Sequence, residues 1–562
     1  MHILGLNFSL DAGAVLVRDG RVVAAALEER FDRQKHSAAF PRQAIAFCLK
    51  QAGITLEQVD AFAFSWNPAV HVGTPNRLRD TIYRDQREYL ELVPAHLLAM
   101  SEQADIGLQS RLSLALRDRE LDVRYFDHHL CHAAAAFYAS GYDQAAILTA
   151  DGYGEQTTTL LATGNASGIT PLRTFDYPHS IGSVYAAVTS FLGFGANNHE
   201  GKVMALAGMG NPKIHRARFE QILRTTDDGF EVDLSYFRYY MRGRHRFSDQ
   251  FVRVFGQPRQ PDAPLKQFHY DIAAALQEAT DRVLLHLCKL LHKQTGMDKL
   301  CLAGGVALNA VAMGNIERKS PFAEIFVLPA AHDGGGGLGA AWLLSQEAGE
   351  SPYQQGVYTD RLGSVYDADF VKKKLSDFNL RFSELDSAPA AAAEMIAKGK
   401  VIGWMNGAME YGPRALGARS ILADPRDAKI KDIVNAKVKY REPFRPFAPV
   451  ALEEAIDQYF IDARPTPFMN KVVYAKPEAA PAIPAVLHTD GSVRIQTINR
   501  AQDGDLYDLI SQFRALTGVP MVLNTSLNKR GQPICESVED ALSCLFTSGM
   551  DALFIGNCLI EK

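Results

Sequence analysis

The chain has 562 residues, 47% hydrophobic and 22% charged, and this balance excludes a disordered chain, a collagen and a disulfide-stapled miniprotein. With 64 acidic and 59 basic residues the formal charge is −5, which offers no basis for nonspecific binding to nucleic acid or to a membrane surface. At roughly 100–200 residues per domain, the length predicts two to four domains.

The seven cysteines are widely spaced and include no C-x-x-C pair, which is typical of reduced thiols in a cytoplasmic protein. The first residues, MHILGLNFSL, open directly into a strand pattern and lack the basic and apolar regions of a signal peptide. No apolar run approaches the roughly 18 residues of a membrane span. We therefore expect a cytoplasmic protein whose partners include neither nucleic acid nor membrane.

Two strand–turn–strand units lie in the first third of the chain. Residues 3–29 show apolar strands around the turn Arg18–Gly20, and residues 145–164 repeat the pattern around an Asp-Gly turn. Two copies predict a duplicated α/β domain, a fold that often holds a nucleotide in the cleft between its halves. Between the units, residues 83–120 are predicted to be helical and charged, and the alanine-rich residues 128–138 predict a helix.

Glycine-rich turns follow in the next segment. Residues 265–295 have apolar side chains at helical spacing and predict a long amphipathic helix. A strand then ends at Gly304 and Gly305, and a helix expected from Val306 would offer its free backbone N–H groups to phosphate or ribose. The four consecutive glycines at 334–337 are costly in chain entropy, which favours a close approach of the backbone to a ligand.

The domain junction is expected shortly after residue 350, where no long apolar period is found. We predict a first domain over 1–350, a linker over 351–385 and a second α/β domain over 386–562. The second domain opens with the helix-to-strand segment AEMIAKGKVIGWMNG and ends in a strand, turn, helix and strand.

The segment HHLCH provides a candidate metal site. His128 and His132 are four residues apart and therefore share one helix face, while His129 points elsewhere. Asp151 and Asp333, each in a glycine-rich turn, are the candidate carboxylate ligands. Two histidines with one or two aspartates suit Fe(II), Mn(II) or Zn(II) better than Mg(II). The alternative is that the histidines pack or cap an alanine-rich helix, and the two aspartates favour the metal.

Basic residues are concentrated in the segment 412–449, which is bracketed by Gly-Pro and Pro-Phe-Ala-Pro. A solvated face is the alternative, but this bracketing favours an ordered and partly buried backbone, where arginine and lysine need anionic partners. Because the arginine fork binds phosphate bidentately, a small phosphorylated ligand is favoured over RNA. The same polar set extends further along the chain, to Arg494, Asn524, Asn528 and Arg530.

Several segments together resemble the O-carbamoyltransferases of antibiotic and nodulation-factor biosynthesis, almost from end to end. They include EERFDRQKH (28–36), HHLCHAAAAFY (128–138), TADGYGE (149–155), HDGGGGLGAA (332–341), EYGPRALGARSILADPR (410–426) and KYREPFRPFAP (439–449). The resemblance implies an α/β protein with a duplicated N-terminal domain of the actin/sugar-kinase type, like the tRNA threonylcarbamoyl transferase. It also implies an α/β C-terminal domain like the threonylcarbamoyl-adenylate synthase.

The resemblance also implies a reaction in two stages. The C-terminal domain forms carbamoyl-adenylate from carbamoyl phosphate and ATP with its Mg²⁺, and the N-terminal domain transfers the carbamoyl group to a hydroxyl of a small-molecule natural product. The implied metal ligands, with Fe(II) favoured over Mn or Zn, are His128, His132, Asp151 and Asp333. The implied nucleotide-cleft residues of the N-terminal domain are Lys202, Gly304, Gly305 and Asn309. The implied carbamoyl phosphate and adenylate residues are Arg414, Lys439, Arg445, Arg494, Asn524 and Arg530.

The loop after the first strand departs from the family pattern. Family members carry a histidine there that helps the acceptor hydroxyl lose its proton, whereas this chain has Leu10 followed by Asp11. Asp11 is therefore grouped as catalytic with Arg414, Lys439 and Arg445, and His36 or His199 are the alternative bases.

Two other functions are compatible with the sequence. One is a nonenzymatic regulator that binds nucleotide and metal and retains the fold, which Leu10 supports. The other is a sugar-kinase-like phosphotransferase, which would leave the second domain unexplained. The acceptor is not specified by the sequence, and a homodimer is an open alternative to a monomer.

Overall fold

The computed structural model describes residues 1–68, 96, 100, 122–241, 245–352 and 358–562. These residues form two compact units: unit 1 comprises Met1–Asp32 and His36–Tyr358, and unit 2 comprises Arg33–Lys35 and Thr359–Lys562. The helix predicted over 83–120 lies outside the described residues, apart from the isolated residues 96 and 100. Among the helices that the structure describes, none is long and apolar enough to cross a membrane.

Unit 1 is built on two five-stranded sheets with the same topology. Its described strands are β1 (His2–Asn7), β2 (Gly13–Arg18), β3 (Arg21–Leu27), β4 (Ala61–Phe64), β5 (Val123–Tyr125), β6 (Ala145–Ala150), β7 (Thr157–Asn165), β8 (Gly168–Asp176), β9 (Leu223–Thr226), β10 (Gly229–Val232), β11 (Lys299–Ala303) and β12 (Glu324–Val327). The strand orders are β3-β2-β1-β4-β5 and β8-β7-β6-β11-β12. In each sheet three antiparallel strands are followed by two parallel ones. The repeated topology confirms the predicted duplication of the α/β fold.

Helices flank these sheets and connect their strands. In the described part of unit 1 they are Glu29–Asp32, Arg42–Ala52, His128–Ser140, Ile181–Phe191, Glu200–Ala207, Arg216–Ile222, Asp249–Phe255, Gln267–Thr295, Ala310–Lys319 and Gly336–Glu347. The helix expected from Val306 starts later than predicted, at Ala310. A 3-10 turn precedes it, and the Asn309 side chain then accepts a hydrogen bond from Ala312 N, which caps the helix.

The glycines at 334–337, for which the sequence predicts a close approach of the backbone to a ligand, make close contacts within the protein. A Cβ atom at Gly337 would lie 3.0 Å from the carbonyl oxygen of Gly5 in β1, and one at Gly339 would lie 1.8 Å from that of Cys131. The helix that follows the run therefore packs directly against β1 and against the helix His128–Ser140. Contacts within the protein favour glycine at both positions, because a side chain would overlap the Cys131 carbonyl oxygen at position 339 and would be tight against Gly5 at position 337.

Unit 2 contains a ten-stranded mixed sheet within the described residues. Its strands are β13 (Ser383–Glu384), β14 (Ile402–Met405), β15 (Arg419–Ala423), β16 (Ala448–Leu452), β17 (Phe460–Ile461), β18 (Lys471–Ala475), β19 (Ser492–Ile498), β20 (Met521–Ser526), β21 (Ala552–Ile555) and β22 (Cys558–Glu561). They are ordered β13-β22-β21-β14-β15-β20-β16-β19-β18-β17. The accompanying α-helices are Ala368–Asp377, Ala388–Ala397, Ala428–Ile433, Ile456–Tyr459, Gly504–Thr517 and Val538–Phe546. Ala388–Ala397 and Gly504–Thr517 pack against each other beside this sheet.

Regular structure occurs inside the range 351–385 for which a linker was expected. This range contains the helix Ala368–Asp377 and the strand β13, and from Thr359 onward it belongs to unit 2. Only Val371 and Leu375 of that helix are buried. Two buried positions are too few to produce a recognisable apolar period, which explains why the sequence did not indicate the helix.

A buried network of charges lies at the start of unit 2. Arg361 Nη2 donates to Asp503 Oδ2 at 2.9 Å and to the carbonyl oxygen of Leu416 at 3.0 Å. The neighbouring Asp360 has a buried Oδ2 with no hydrogen-bond partner among the described residues. Burial raises the pKa of Asp360 to about 6, although Arg361 acts in the opposite direction. Above that pH the ionised carboxylate opposes folding.

Substitution of Gly339 by alanine is expected to destabilise unit 1 by about 3 kcal/mol or more, because the new Cβ atom would overlap the Cys131 carbonyl oxygen. The matched control is Gly201→Ala, also within a helix, where no heavy atom lies within 4 Å of an added Cβ. The melting temperatures of both variants provide the measurement. Equal melting temperatures for the two variants would contradict the packing described here.

Asp360→Asn is expected to stabilise the protein in a pH-dependent way. The folded state binds the Asp360 proton more tightly than the unfolded chain does. The destabilisation caused by ionised Asp360 therefore grows between pH 4 and pH 6 and reaches its full value above pH 6. The gain should therefore approach about 3 kcal/mol at most at pH 8 and vanish near pH 4. Melting temperatures at both pH values test this, with the exposed Asp377→Asn as the control. The same gain at pH 4 as at pH 8 would contradict it.

Candidate functional site

Unit 1 brings together the four residues predicted as metal ligands. His128 and His132 lie on one face of their helix, with their Nε2 atoms 3.0 Å apart. Asp151 Oδ2 lies 3.1 Å from His132 Nε2, and Asp333 Oδ1 lies 3.6 Å from His128 Nε2. One possible ligand atom from each of the four residues lies within 4.8 Å of all the others. His129 points away, as expected, and its Nδ1 lies 2.6 Å from Thr149 Oγ1.

Backbone groups fix the orientation of these side chains. Asp151 Oδ1 accepts from Gly152 N at 2.6 Å, and its Oδ2 accepts from Gly305 N at 2.9 Å. At the start of the histidine helix, the buried Glu155 carboxylate accepts from His128 N at 3.1 Å and from Asn67 N at 2.5 Å. The candidate ligands are therefore held in place by hydrogen bonds from the surrounding loops.

The electrostatics of the cluster fit a divalent cation. Burial and the charge of His128 lower the pKa of His132 to about 4, so this imidazole is neutral at pH 7 and has a nitrogen lone pair to donate. Burial and the negative charge of Asp151 raise the pKa of Asp333 well above its usual range. Against the opposing effect of burial, these carboxylates raise the pKa of His128 to about 9, so a protonated His128 supplies part of the compensating positive charge that they need. A cation with mixed nitrogen and oxygen ligands would supply it.

The loop after β1 carries Asp11, which contacts one of the two alternative bases. His36 Nδ1 lies 2.7 Å from Asp11 Oδ1, and both residues have left-handed backbone conformations, with φ of 57° and 58°. His199 instead lies at the start of a helix, where its Nδ1 accepts from Gly195 N. Of the two histidines, His36 is the one that the structure places next to Asp11.

The first loop is connected to the histidine cluster by a short chain of hydrogen bonds. Asn7 Nδ2 donates to the Asp11 carbonyl oxygen at 3.1 Å, and Ser65 Oγ donates to Asn7 Oδ1 at 3.3 Å. The Ser65 carbonyl oxygen in turn lies 3.3 Å from His128 Nδ1. Asp11 is therefore part of the same polar region as the candidate metal ligands.

Of the four predicted nucleotide-cleft residues of unit 1, Gly304 and Gly305 lie beside Ala150 and Asp151, and all four contact protein atoms. Gly304 has φ of 87°, and Gly305 N is bonded to Asp151. The Asn309 amide exchanges hydrogen bonds with Gln277 and caps a helix. Lys202 is buried, with its Nζ atom 5.4 Å from the centre of the Phe194 ring. Gly305 and Asn309 thus have structural partners that the sequence did not reveal.

Unit 2 brings three of the predicted arginines, Arg414, Arg445 and Arg494, close enough together for their charges to interact. Burial and the charge of Arg445 lower the pKa of Arg414 to about 10 and that of Arg441 to about 9. Burial, followed by the charges of Arg414 and Arg441, lowers the pKa of Arg494 well below its usual range. Guanidinium groups that repel one another at partly buried positions are stabilised by an anionic partner.

The other predicted residues of unit 2 have different surroundings. Lys439 is buried, and its ammonium group donates to Ser526 O at 2.7 Å, to Asn528 O at 2.9 Å and to the side chains of both residues. Asn524 is buried and donates to Gln496 Oε1 and to the carbonyl oxygen of Ala415. Arg530 is 65% exposed, with its Nη2 atom 4.0 Å from Glu442 Oε1. Lys439 and Asn524 therefore stabilise the loops on which the arginines lie.

Two further residues were not predicted as site residues. Glu155 anchors the histidine helix, and the only sequence signal for it is its position four residues after Asp151. Arg441 belongs to the arginine cluster, and its place in the basic segment 412–449 was the signal that could have identified it.

Comparison with known proteins identifies a family for both units. Residues 2–342 match the family described as Carbamoyltransferase N-terminus, and residues 393–562 match Carbamoyltransferase C-terminus. The chain is 39% identical to Nodulation protein NolNO of Sinorhizobium fredii, over 99% of this chain and 79% of that protein. It is 37% identical to Uncharacterized protein sll1178 of Synechocystis sp., over 100% of this chain and 97% of that protein.

Among solved structures, HypF of T. kodakarensis is 14% identical and covers 62% of this chain and 48% of its own, with a TM-score of 0.32. That likeness is too distant to indicate a function. The two family matches and the relatives, by contrast, extend over nearly the whole chain. The chain is therefore an enzyme that belongs to the carbamoyltransferase family.

Proposed function

We propose that the chain is an ATP-dependent carbamoyltransferase that uses carbamoyl phosphate and modifies a hydroxyl group of a small-molecule natural product. The observation that carries this proposal is the cluster of Arg414, Arg441, Arg445 and Arg494 in unit 2, where burial and the neighbouring guanidinium charges lower the pKa values of Arg414, Arg441 and Arg494. Carbamoyl phosphate and ATP are the polyanions that a carbamoyltransferase would place there. The similarity to nodulation proteins supports an acceptor from secondary metabolism.

Unit 2 carries out the first stage. Water releases phosphate from carbamoyl phosphate, an oxygen of the resulting carbamate attacks the α-phosphorus of ATP, and pyrophosphate leaves, which gives carbamoyl-adenylate. Negative charge grows on the phosphoryl oxygens as the bond to pyrophosphate breaks, and fixed guanidinium groups stabilise it. Mg²⁺ enters with ATP. Lys439 and Asn524 support this stage by holding the surrounding loops.

Unit 1 carries out the transfer to the acceptor. His128, His132, Asp151 and Asp333 would hold the divalent metal, for which we propose Fe(II), with Mn(II) and Zn(II) as alternatives suited to the same ligands. When bound, the metal acts as a Lewis acid toward an oxygen of the carbamoyl donor. Asp11 orients the imidazole of His36, which accepts the proton of the acceptor hydroxyl as the hydroxyl oxygen bonds to the carbamoyl carbon and AMP leaves. Both substrates of the first stage are cytoplasmic metabolites, so we place the reaction in the cytoplasm.

Incubation of the protein with ATP, Mg²⁺ and carbamoyl phosphate should release pyrophosphate and form carbamoyl-AMP, detected by mass spectrometry. Omission of carbamoyl phosphate should reduce the release to background. Folded, metal-loaded protein that binds ATP but releases no pyrophosphate would contradict the proposal and favour a nonenzymatic regulator. A phosphorylated acceptor as the product would indicate a phosphotransferase.

Substitutions in the two units are expected to separate the two stages. Arg414→Ala should lower pyrophosphate release at least about 100-fold, because it removes one of the fixed charges that stabilise the phosphoryl oxygens, and should leave the metal content unchanged. His128→Ala should lose the metal and retain pyrophosphate release.

Metal analysis and the pyrophosphate assay are applied to both variants, with Arg500→Ala, which removes an exposed ion pair with Asp508, as the control. Loss of both properties in either variant would show that the stages are not divided between the units as proposed.

A further inference from the structure

The loop 411–418 presents Arg414 and has a backbone that requires restraint. Gly412 and Gly417 have φ values of 146° and 115°, conformations that glycine adopts freely in an unfolded or mobile loop as well. Burial and the charge of Arg445 together lower the pKa of Arg414 to about 10, so a charged Arg414 is destabilised at this position. A loop without anchors would relieve this destabilisation by moving Arg414 away from the cluster.

One carboxylate oxygen binds the backbone of this loop at several points. Glu410 Oε1 accepts hydrogen bonds from Leu416 N at 2.7 Å, from Ala418 N at 2.6 Å and from Arg419 N at 3.3 Å. The Glu410 side chain is 1% exposed, so water does not compete for these bonds. Hydrogen bonds to a carboxylate are stronger than those between neutral groups, and three of them converge on one oxygen atom.

The rest of the loop is anchored from the opposite direction, through its carbonyl groups. Arg361 Nη2 and Gln496 Nε2 donate to the carbonyl oxygen of Leu416 at 3.0 and 2.8 Å. Asn524 Nδ2 donates to that of Ala415 at 3.3 Å. The N–H groups bind Glu410 and the C=O groups bind these three side chains, so the backbone immediately after Arg414 is restrained on both sides.

We propose that Glu410 is a positioning residue for the first stage: it holds the loop 411–418 in the one conformation that keeps Arg414 within the arginine cluster. Glu410 acts through Arg414 and does not touch the substrates. This inference rests on the proposed function for its effect on activity, whereas the effect on the loop is independent of that function.

Trypsin provides a test of the loop that does not depend on activity. The Arg414–Ala415 bond should resist cleavage in the native protein and become the first site cut in Glu410→Ala, because the backbone around it is released. Glu410→Gln keeps the accepting oxygen and should stay close to the native protein. Glu410→Asp, whose carboxylate is one methylene shorter, serves if the alanine variant does not fold, and should also be cut at Arg414. The matched control is Glu454→Ala, which removes an exposed carboxylate of the same unit.

A double-mutant cycle on pyrophosphate release then separates positioning from general stability. Glu410→Ala is expected to lower kcat/KM by between about 10- and 100-fold, and Glu410→Gln should recover most of it. In an Arg414→Ala background, the further change Glu410→Ala should alter the rate less than about twofold, since its effect passes through Arg414.

Effects of the two substitutions that multiply in the double variant would overturn the proposal, as would unchanged trypsin resistance of Glu410→Ala. If the native protein releases no pyrophosphate, the proposed function fails, and the trypsin experiment still decides whether Glu410 holds the loop.

Discussion

The burial of like charges at short distances is the constraint on which both candidate sites depend. In unit 1 two carboxylates and two imidazoles lie close together, and burial together with the negative charge of Asp151 raises the pKa of Asp333. In unit 2 the guanidinium groups of Arg414 and Arg445 repel each other in the same way. Such arrangements oppose folding unless a ligand of opposite charge binds. Binding of that ligand would therefore stabilise each folded unit. Under the proposed function, the first unit would bind a cation and the second would bind polyanions.

Hydrogen bonds from backbone N–H groups to carboxylates hold the side chains of both candidate sites in place. Asp151, Glu155 and Glu410 each accept from two or more backbone N–H groups, and each is at or next to a candidate site. A carboxylate bound in this way fixes the loop and its own orientation at once. The positions of the candidate site residues are therefore set by the backbone, and they do not depend on contacts between long, flexible side chains.

Much of the architecture could be predicted because it depends on local patterns. The turn at Asp19 and Gly20, the helical spacing of residues 267–295 and the shared face of His128 and His132 all follow from neighbours in sequence. The glycine run at 334–337 could be located from the sequence, but its contacts could not, because Gly337 lies against Gly5 of β1, more than 300 residues earlier. The roles of Asn309 and Asn524 were inaccessible for the same reason, since their amides bind Gln277 and Gln496. The chemistry of a side chain can be predicted from the sequence, whereas the residue that it contacts depends on the tertiary fold.

The close contact between Gly339 and Cys131 has a mechanical consequence for unit 1. The helix Gly336–Glu347, which begins just after Asp333, packs on β1 of the first sheet, and the helix with His128 packs on β6 and β11 of the second. The four candidate ligands therefore belong to both halves of the duplicated fold. A side chain at position 339 would force the helices Gly336–Glu347 and His128–Ser140 apart, and with them Asp333 and His128.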